Sequence, residues 1–316
     1  MESNIRPNLA AALLCLLLCV PSLGAQAPGQ GHPPLPALRL GIFADADSLP
    51  FLLCESEGIF ASVGVPVTLV RFQSAVERDS AFQAGSLDGI ISDIPAALLA
   101  AQAGFKLAIT SLTDGRYGIA TAPGSGISRL SDLGGKQIGI SSNTVIHYMV
   151  DSFLEGAGVA PERRILVPVP KMPIRLEMLL AGQIAAAGMP EPFLTVARTR
   201  GASIIAATDD RGLGAGVLVF SASALGSKLE SIRLLYRAYW TAASRINADN
   251  EAYRPLLVEK AGFSAEAAKA FSFVVYKKPR LPSLSDMKNA QSWLISKGLL
   301  KASIDPAALL DSRAIE

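Results

Sequence analysis

The chain has few of the residues from which disulfides and metal sites are built: three of its 316 residues are cysteine and two are histidine. Cys15 and Cys19 lie in an apolar N-terminal segment, so Cys54 has no disulfide partner in the rest of the chain. His32 and His147 are far apart, and two helical metal ligands would need to stand about four residues apart. The sequence therefore predicts neither a disulfide-stapled fold nor a metal site.

The chain also lacks an excess of charge of one sign and the short motifs of catalysis. Its 29 lysines and arginines nearly balance 27 aspartates and glutamates, which argues against a nucleic-acid-binding surface. It has no Gly-x-Ser-x-Gly elbow, and the glycine-rich turn at 122–126 lacks the lysine of a phosphate-binding loop. His147 is a candidate general base, but a half-buried structural histidine is the plainer interpretation. We therefore expect no enzyme activity, no cofactor and no nucleic-acid partner.

The first residues carry the clearest local signal. Arg6 precedes an apolar run at 9–20, and a proline and several small residues follow that run. This order is typical of a secretory signal peptide, because a membrane span needs about 20 apolar residues. We expect a signal peptide at 1–27, a flexible tether at 28–37 and a periplasmic location. An uncleaved anchor, or a lipid-anchored form through one of the two N-terminal cysteines, stays open as an alternative.

From residue 38 onwards, short β-rich runs alternate with amphipathic stretches, which predicts an α/β fold with parallel sheets covered by helices. The predicted strands are 38–43, 65–72, 89–92, 106–112, 118–122, 136–140, 165–169, 185–188, 203–207 and 216–220. The predicted helices are 49–58, 75–84, one beginning near Pro95, 144–156 with Ser142 or Asn143 as its N-cap, 174–180, 193–200, 229–247, 251–261, 265–273 and 284–298.

The order of strands and helices occurs twice. In each series a helix ends at a glycine, Gly85 or Gly182, just before a short strand, as short connections between helix and strand require. Such a repeat predicts two lobes with one sheet each. We place the first lobe at 38–114 and 215–316, with the C-terminal helices, and the second lobe at 115–214.

The chain crosses between the two series twice, near 113–118 and near 209–216. Two crossings side by side predict a hinge, because glycines there absorb backbone rotation. The glycines concerned are Gly115, Gly212, Gly214 and Gly216. Two rigidly packed domains are the alternative.

Four segments resemble the motifs of a known family. They are PFLLCESEGIF at 50–60, AGSLD at 84–88, DLGGKQIGI at 132–140 and AGQIAAAGMPEPF at 181–193. Their order and spacing resemble type II periplasmic binding proteins, in the branch for taurine, alkanesulfonates, nitrate and thiamine-pyrimidine precursors. Ala185 stands where the family has an aspartate, and Met189-Pro190 replaces the usual tryptophan before Glu-Pro. The second departure bears on the class of substrate.

The resemblance implies a two-lobed fold of the Venus flytrap kind. It implies a monomer that closes on a small molecule and delivers it to an ABC permease and ATPase complex in the inner membrane. We expect a polar heterocycle such as a thiamine precursor as the ligand, and a sulfonate of the taurine type next. Two alternatives remain: a fold-related enzyme of pyrimidine or menaquinone biosynthesis, and a ligand-sensing module for a receptor kinase.

The candidate binding residues lie at loops that follow the predicted strands, near helix N-termini, where open α/β sheets bind ligands. They are Asp45, Ser48, Ser74, Asp93, Arg116, Tyr117, Ser142, Asn143, Thr144, Tyr148 and Glu191. Several have a plainer interpretation, which we weigh equally: Asp45, Asp93, Ser142 and Asn143 as helix caps. Arg116 is a candidate anion clamp or a surface arginine, and the aromatic residues are more often part of the core.

Overall fold

The computed structural model describes residues 35–209 and 214–316. The predicted signal peptide, most of the predicted tether and the hinge glycine Gly212 lie outside these residues. Within the described part of the chain, no helix is both long and apolar enough to cross a membrane.

The first sheet has five strands in the order β2-β1-β3-β10-β4. They are β1 (Leu38–Ile42), β2 (Val67–Arg71), β3 (Gly89–Asp93), β4 (Leu107–Leu112) and β10 (Gly216–Ser221). Strand β1 pairs in parallel with β2 and β3, whereas β10 runs antiparallel between β3 and β4. β3 is buried along its whole length, as expected of a central strand covered on both faces.

The second sheet has the same plan, with the strand order β7-β6-β8-β5-β9. Its strands are β5 (Tyr117–Thr121), β6 (Gln137–Ile140), β7 (Ile165–Pro168), β8 (Ala186–Pro190) and β9 (Ser203–Ala207). Here β5 is the antiparallel strand, so β5 and β10 hold equivalent places. Each of them enters its sheet directly after the chain has crossed from the other one. The predicted two-lobed α/β fold is confirmed, with sheets that are mixed rather than wholly parallel.

Twelve helices of the described residues flank these sheets. They are α1 (Leu49–Ser56), α2 (Ile59–Ser62), α3 (Ala75–Gln83), α4 (Ile94–Gln102), α5 (Val145–Gly156), α6 (Met172–Leu180), α7 (Phe193–Thr199), α8 (Ala222–Ser227), α9 (Leu229–Ala248), α10 (Arg254–Glu259), α11 (Ala265–Ala270) and α12 (Leu284–Ser296). Short 3-10 turns lie at Ala46–Ser48, Leu130–Leu133, Pro161–Arg163 and Pro306–Leu309. We call the first sheet with α1–α4 and α8–α12 the first lobe, and the second sheet with α5–α7 the second lobe.

The C-terminal region departs from the sequence prediction. The helices predicted at 251–261 and 265–273 are shorter in the structure, and the pattern does not predict α8. After α11 the chain is extended up to α12, because its backbone bonds to other elements rather than to itself. The N–H of Leu112 donates to the carbonyl of Arg280 at 2.6 Å, and the N–H of Tyr276 donates to Oδ1 of Asn247 at 3.0 Å.

The predicted N-cap of α5 is also wrong. Thr144 caps the helix, because its hydroxyl accepts from the N–H of Ile146. Asn143 has a φ of 62°, the left-handed conformation that asparagine tolerates better than most residues. The turn therefore directs Ser142 and Asn143 outward, and both are exposed.

One apolar cluster contains residues of both lobes. It includes Ile94 and Leu98 of α4, Val145 and Met149 of α5, and Leu294 of α12. Beside it, Asp151 of α5 accepts from the indole of Trp293 at 2.9 Å and pairs with Lys297 at 2.6 Å. The two lobes are thus packed together along the α4–α5–α12 side, and the carboxyl ends of β1, β3, β6 and β8 face a common cleft.

Candidate functional site

The cleft between the lobes is narrow and lined by residues of both. Its cavity volume is about 40 Å³. Asp45, Asp47, Arg78 and Asp93 come from the first lobe. Tyr117, Ser141, Thr144 and Arg175 belong to the second. Small polar groups at strand ends and helix N-termini are the usual setting of a ligand site in this kind of fold.

The loop after β1 carries two buried carboxyl groups, Asp45 and Asp47. Asp45 accepts from the backbone N–H of Ser48 at 3.1 Å and from its hydroxyl at 2.9 Å, and it caps the 3-10 turn that follows. Asp47 instead reaches across to the hinge. Its Oδ1 accepts from the N–H of Gly115 at 2.7 Å, and its Oδ2 accepts from the hydroxyl of Tyr117 at 2.6 Å.

The close approach of Asp47 explains two of the hinge glycines. A Cβ at Gly115 would overlap the Asp47 carboxyl group, and a Cβ at Gly216 would overlap the hydroxyls of Thr113 and Tyr117. Gly115 and Gly216 lie on the two crossings between the lobes. Both positions therefore need glycine for space rather than for a positive φ, because neither has one.

Asp93 lines the cleft. It is the last residue of β3 and the N-cap of α4, where it accepts from the N–H of Ala96 at 2.9 Å. The backbone N–H of Val145, the first residue of α5 in the second lobe, also acts to lower the pKa of this carboxyl group. The carboxyl group therefore lies near the N-termini of two helices, which favour negative charge.

Burial raises the pKa values of these carboxyl groups, because a low-dielectric environment disfavours the charged form. It raises the pKa of Asp45 to about 8, with the nearby Asp47 adding to the effect. The pKa of Asp47 is raised as well, and that of Asp93 is raised to about 6. The first lobe therefore presents a cleft wall that takes up protons near neutral pH.

Two buried arginines hold equivalent positions in the two lobes. Arg78 is the fourth residue of α3 and Arg175 the fourth of α6, and each helix runs between equivalent strands of its sheet. Each guanidinium bonds to one carbonyl and one serine hydroxyl. For Arg78 these are Ile91 and Ser92, at 2.7 and 3.2 Å; for Arg175 they are Val169 and Ser141, at 2.9 and 2.6 Å.

Several contacts close the cleft directly. The N–H of Ala46 donates to the carbonyl of Glu191 at 3.1 Å, and the N–H of Met172 donates to the carbonyl of Gln73 at 3.3 Å. At the rim, Lys171 pairs with Glu77 at 3.5 Å, although both side chains are largely exposed and the pair adds little. With the Tyr117–Asp47 bond, these contacts hold the closed arrangement.

The structure brings together some of the candidate residues from the sequence. Asp45, Asp93, Tyr117 and Thr144 line the cleft. Ser48 is buried against Asp45, and Ser74 caps α3 with its hydroxyl. A ligand-binding role for these residues stays a prediction.

The other candidates lie elsewhere. Arg116 pairs with Glu191 at 3.1 Å and Asp209 at 2.9 Å on the hinge side of the molecule. Tyr148 packs on Trp293, with ring centroids 5.2 Å apart. Ser142 and Asn143 are exposed outside the cleft lining. None of these four lines the cleft, so a role in ligand binding there has no contact to support it.

Sequence reasoning missed Asp47, Arg78 and Arg175. An arginine within an amphipathic helix resembles a surface residue, although both arginines are almost completely buried. The internal repeat contained the missing signal. Aligning the two series on their matching helices places Arg78 opposite Arg175.

We expect Tyr117→Phe to loosen the closed arrangement, because it removes a hydroxyl that one lobe donates to a carboxyl group of the other. Leaving a buried carboxyl group without a hydrogen-bond partner lowers stability by about 1–3 kcal/mol. Small-angle scattering measures the opening as a rise in the radius of gyration, and denaturation measures the stability. Tyr236→Phe is the matched control, since its hydroxyl bonds to Thr110 within the first lobe at 2.6 Å. Equal scattering from both variants would contradict the role of Tyr117.

We expect stability to fall as pH rises from 6.5 to 8.5, because the raised pKa of Asp45 lets the folded state bind a proton that the unfolded state has released. The contribution is present at low pH and is lost as pH rises through about 8. This range lies above the lowered pKa of His147, whose opposite contribution is then complete. The part of this fall that Asp45 contributes is at most about 2 kcal/mol, at about 1.4 kcal/mol per pKa unit. Melting curves at several pH values measure this fall in stability. Asp45→Asn should weaken the dependence of stability on pH, and an unchanged dependence in this variant refutes the assignment.

The chain matches the NMT1-like family over residues 31–259, which is more than half of its length. No curated protein sequence matches it. The alkanesulfonate-binding protein SsuA from Xanthomonas axonopodis pv. citri, bound to MOPS, is similar in structure, with 17% identity, a TM-score of 0.75 and coverage of 88% of this chain and 99% of that one.

Two further structures share the fold. The periplasmic nitrate-binding protein NrtA from Synechocystis PCC 6803 has 14% identity and a TM-score of 0.73, over 89% of this chain and 87% of that one. The desulfurization enzyme DSZB has 16% identity and a TM-score of 0.64, over 88% of this chain and 97% of that one. Together with the cleft between two sheets of the same strand order, these matches bear out the resemblance noted in the sequence, and the chain belongs to the NMT1-like family.

Proposed function

We propose that this protein is the solute-binding component of an ABC importer. The observation that carries the proposal is the cleft itself, in which buried polar groups of both lobes face one space and hydrogen bonds cross it. A solute that touches both lobes binds the closed form better than the open form and shifts the population towards it. The SsuA and NrtA proteins, which share the fold, support this function by analogy.

The proposed partners and location follow from the same analogy. A binding component of this kind passes its solute to a membrane permease with an ATPase, and it works in the periplasm as a monomer. The N-terminal pattern of a signal peptide supports export. A lipid anchor through Cys15 or Cys19 would keep the same partners and place the protein on the membrane surface.

The proposed ligand is a small polar organic solute. The carboxyl groups of Asp45 and Asp93 suit a ligand that donates hydrogen bonds, such as the amino group of a thiamine-type pyrimidine or of taurine. A sulfonate is supported by the similar SsuA structure and by positively charged Arg175 in the lining. Both classes therefore belong in the first ligand screen.

A fold-related enzyme is the second candidate. The cleft contains carboxyl groups whose pKa lies near neutral pH, about 8 for Asp45 and about 6 for Asp93, which suits proton transfer. Cys54 does not support a nucleophilic mechanism, because it lies outside the cleft lining and burial raises the pKa of its thiol to about 12. Loss of a screened compound over time, followed by mass spectrometry, would favour the enzyme.

We expect at least one small solute to stabilise the wild-type protein against heat. A ligand at 100 times its Kd stabilises the folded state by about 2.7 kcal/mol, because it binds the folded state only. The screen uses taurine, butanesulfonate, nitrate, bicarbonate, riboflavin and an aminopyrimidine thiamine precursor, after unfolding and refolding to remove any bound solute. Titration calorimetry then gives the Kd, and a solute returned unchanged separates binding from turnover. A flat response to every compound would count against solute binding of this class.

A further inference from the structure

One edge of the Arg175 guanidinium has no partner in the closed cleft. Nη1 donates to Ser141 and Val169, but Nε and Nη2 are buried and make no hydrogen bond to any described residue. No acidic side chain at 35–209 or 214–316 forms an ion pair with Arg175. The side chain is fully buried, and Arg175 is one of the residues that line the cleft.

Leaving such an edge unpaired is costly. A buried charge without a partner loses its hydration and gains nothing in return. Burial accordingly lowers the pKa of Arg175 to about 9, which still leaves the guanidinium charged at neutral pH. A partner for this charged edge has to come from outside the described chain, as an acid group of a solute or as water.

The aliphatic part of Arg175 packs closely against β6. A Cβ at Gly139 in β6 would lie 2.6 Å from Cδ1 of Ile184 and 3.1 Å from Cγ of Arg175, so glycine makes room for both side chains. The bonds to Ser141 and Val169 then fix the plane of the guanidinium. Arg175 is thus held in one orientation, as a preorganised binding group should be.

In Arg78, the equivalent residue of the first lobe, the Nε–Nη2 edge has hydrogen-bond partners. Its Nε donates to Asp79 at 2.8 Å, its Nη2 pairs with the same carboxylate at 2.7 Å, and it lies 4.9 Å above the ring of Phe43. Position 79 supplies an acid, whereas the residue after Arg175 is Leu176. The repeat therefore carries one internally neutralised arginine and one that lacks its acid.

We propose that the Nε–Nη2 edge of Arg175 is the acid subsite of the cleft and determines its specificity: it binds the carboxylate or sulfonate group of a small organic acid side-on. This inference rests on the proposed function and deepens it. The two N–H groups point in parallel, and a carboxylate or sulfonate offers two oxygens at matching spacing. The hydroxyl of Ser141, which accepts from Nη1, lies beside the guanidinium group of Arg175.

The facing wall constrains the rest of the solute. Asp45 and Asp93 line the cleft across from the second lobe, and the Asp93 carboxyl group lies close to the backbone N–H of Val145 at the start of α5. A carboxyl group beside that helix end disfavours a second acid group there, so the acid group of the solute is bound by Arg175. A solute that also has a hydrogen-bond donor at its other end can bind to polar groups of both walls. A simple anion binds to one wall only.

The test compares Arg175→Met with the wild type by titration calorimetry against taurine, butanesulfonate and the neutral aminopyrimidine. For an acid that binds to the wild type, we expect Arg175→Met to raise the Kd about 10- to 100-fold. The reason is that the variant loses hydrogen bonds to a charged group. Its affinity for the neutral pyrimidine should not fall. Arg175→Lys keeps the charge without the two-pronged edge and should recover only part of the affinity.

A second readout needs no ligand. Because the free edge costs stability in the closed form, ligand-free Arg175→Met should melt at the same temperature as the wild type or higher. A merely structural arginine would show the opposite, a lower melting temperature and an unchanged Kd. Arg164→Gln is the matched control: this second-lobe arginine lies outside the cleft lining and pairs with Asp151 at 3.0 Å, so its loss should lower the melting temperature and leave Kd unchanged.

The outcomes separate the two proposals. Binding of acids that Arg175→Met leaves intact, or binding of the neutral pyrimidine alone, overturns the acid subsite and keeps the protein a solute-binding component. A lower melting temperature of ligand-free Arg175→Met together with an unchanged Kd also overturns the subsite. A wild-type protein that binds none of the screened solutes contradicts the proposed function, and the inference falls with it.

Discussion

The closed arrangement depends on the buried carboxyl group of Asp47. It accepts from Gly115 on one crossing between the lobes and from Tyr117 at the start of β5, so a side chain of the first lobe holds the hinge from within. This contact accounts for the absence of a side chain at Gly115 and at Gly216. Because Asp47 follows Asp45 by two residues, the same loop forms the cleft wall and holds the hinge. Movement of that loop therefore affects both.

The two lobes repeat each other in strand order and in the position of a buried arginine, but their charges differ. In the first lobe, Asp79 neutralises Arg78, and further carboxyl groups stand at the ends of β1 and β3. In the second lobe, Arg175 has only neutral partners. The repeat thus supplies a scaffold of two similar halves. Asp79 neutralises the arginine of the first lobe, whereas Leu176 at the equivalent position leaves Arg175 charged, so one wall of the cleft is acidic and the other basic.

Much of the fold could be predicted from the sequence, because it rests on patterns that local physics fixes. Continuous apolar runs such as that of β10 indicate strands covered on both faces, and Asp45 and Asp93 became candidates because they lie at the ends of predicted strands. The extended segment between α11 and α12 could not be predicted, since the distant groups that bond to its backbone do not show in its own sequence. Arg175 was missed for a related reason: periodicity marks an arginine in a helix as exposed, and only tertiary packing against Gly139 shows that it is buried.

The distribution of charge in the cleft links closure to occupancy. When the lobes meet, the acidic wall loses water, and its carboxyl groups respond by holding protons, as the raised pKa values of Asp45 and Asp93 indicate. Arg175 has no comparable escape, because a guanidinium keeps its charge at neutral pH. The closed empty cleft therefore retains one unpaired cation, and water can restore its hydration only if the lobes separate. A solute that brings an acid group removes this penalty and leaves the hydrogen bonds between the lobes in place, so the same charge that opposes closure of the empty protein favours closure of the loaded one.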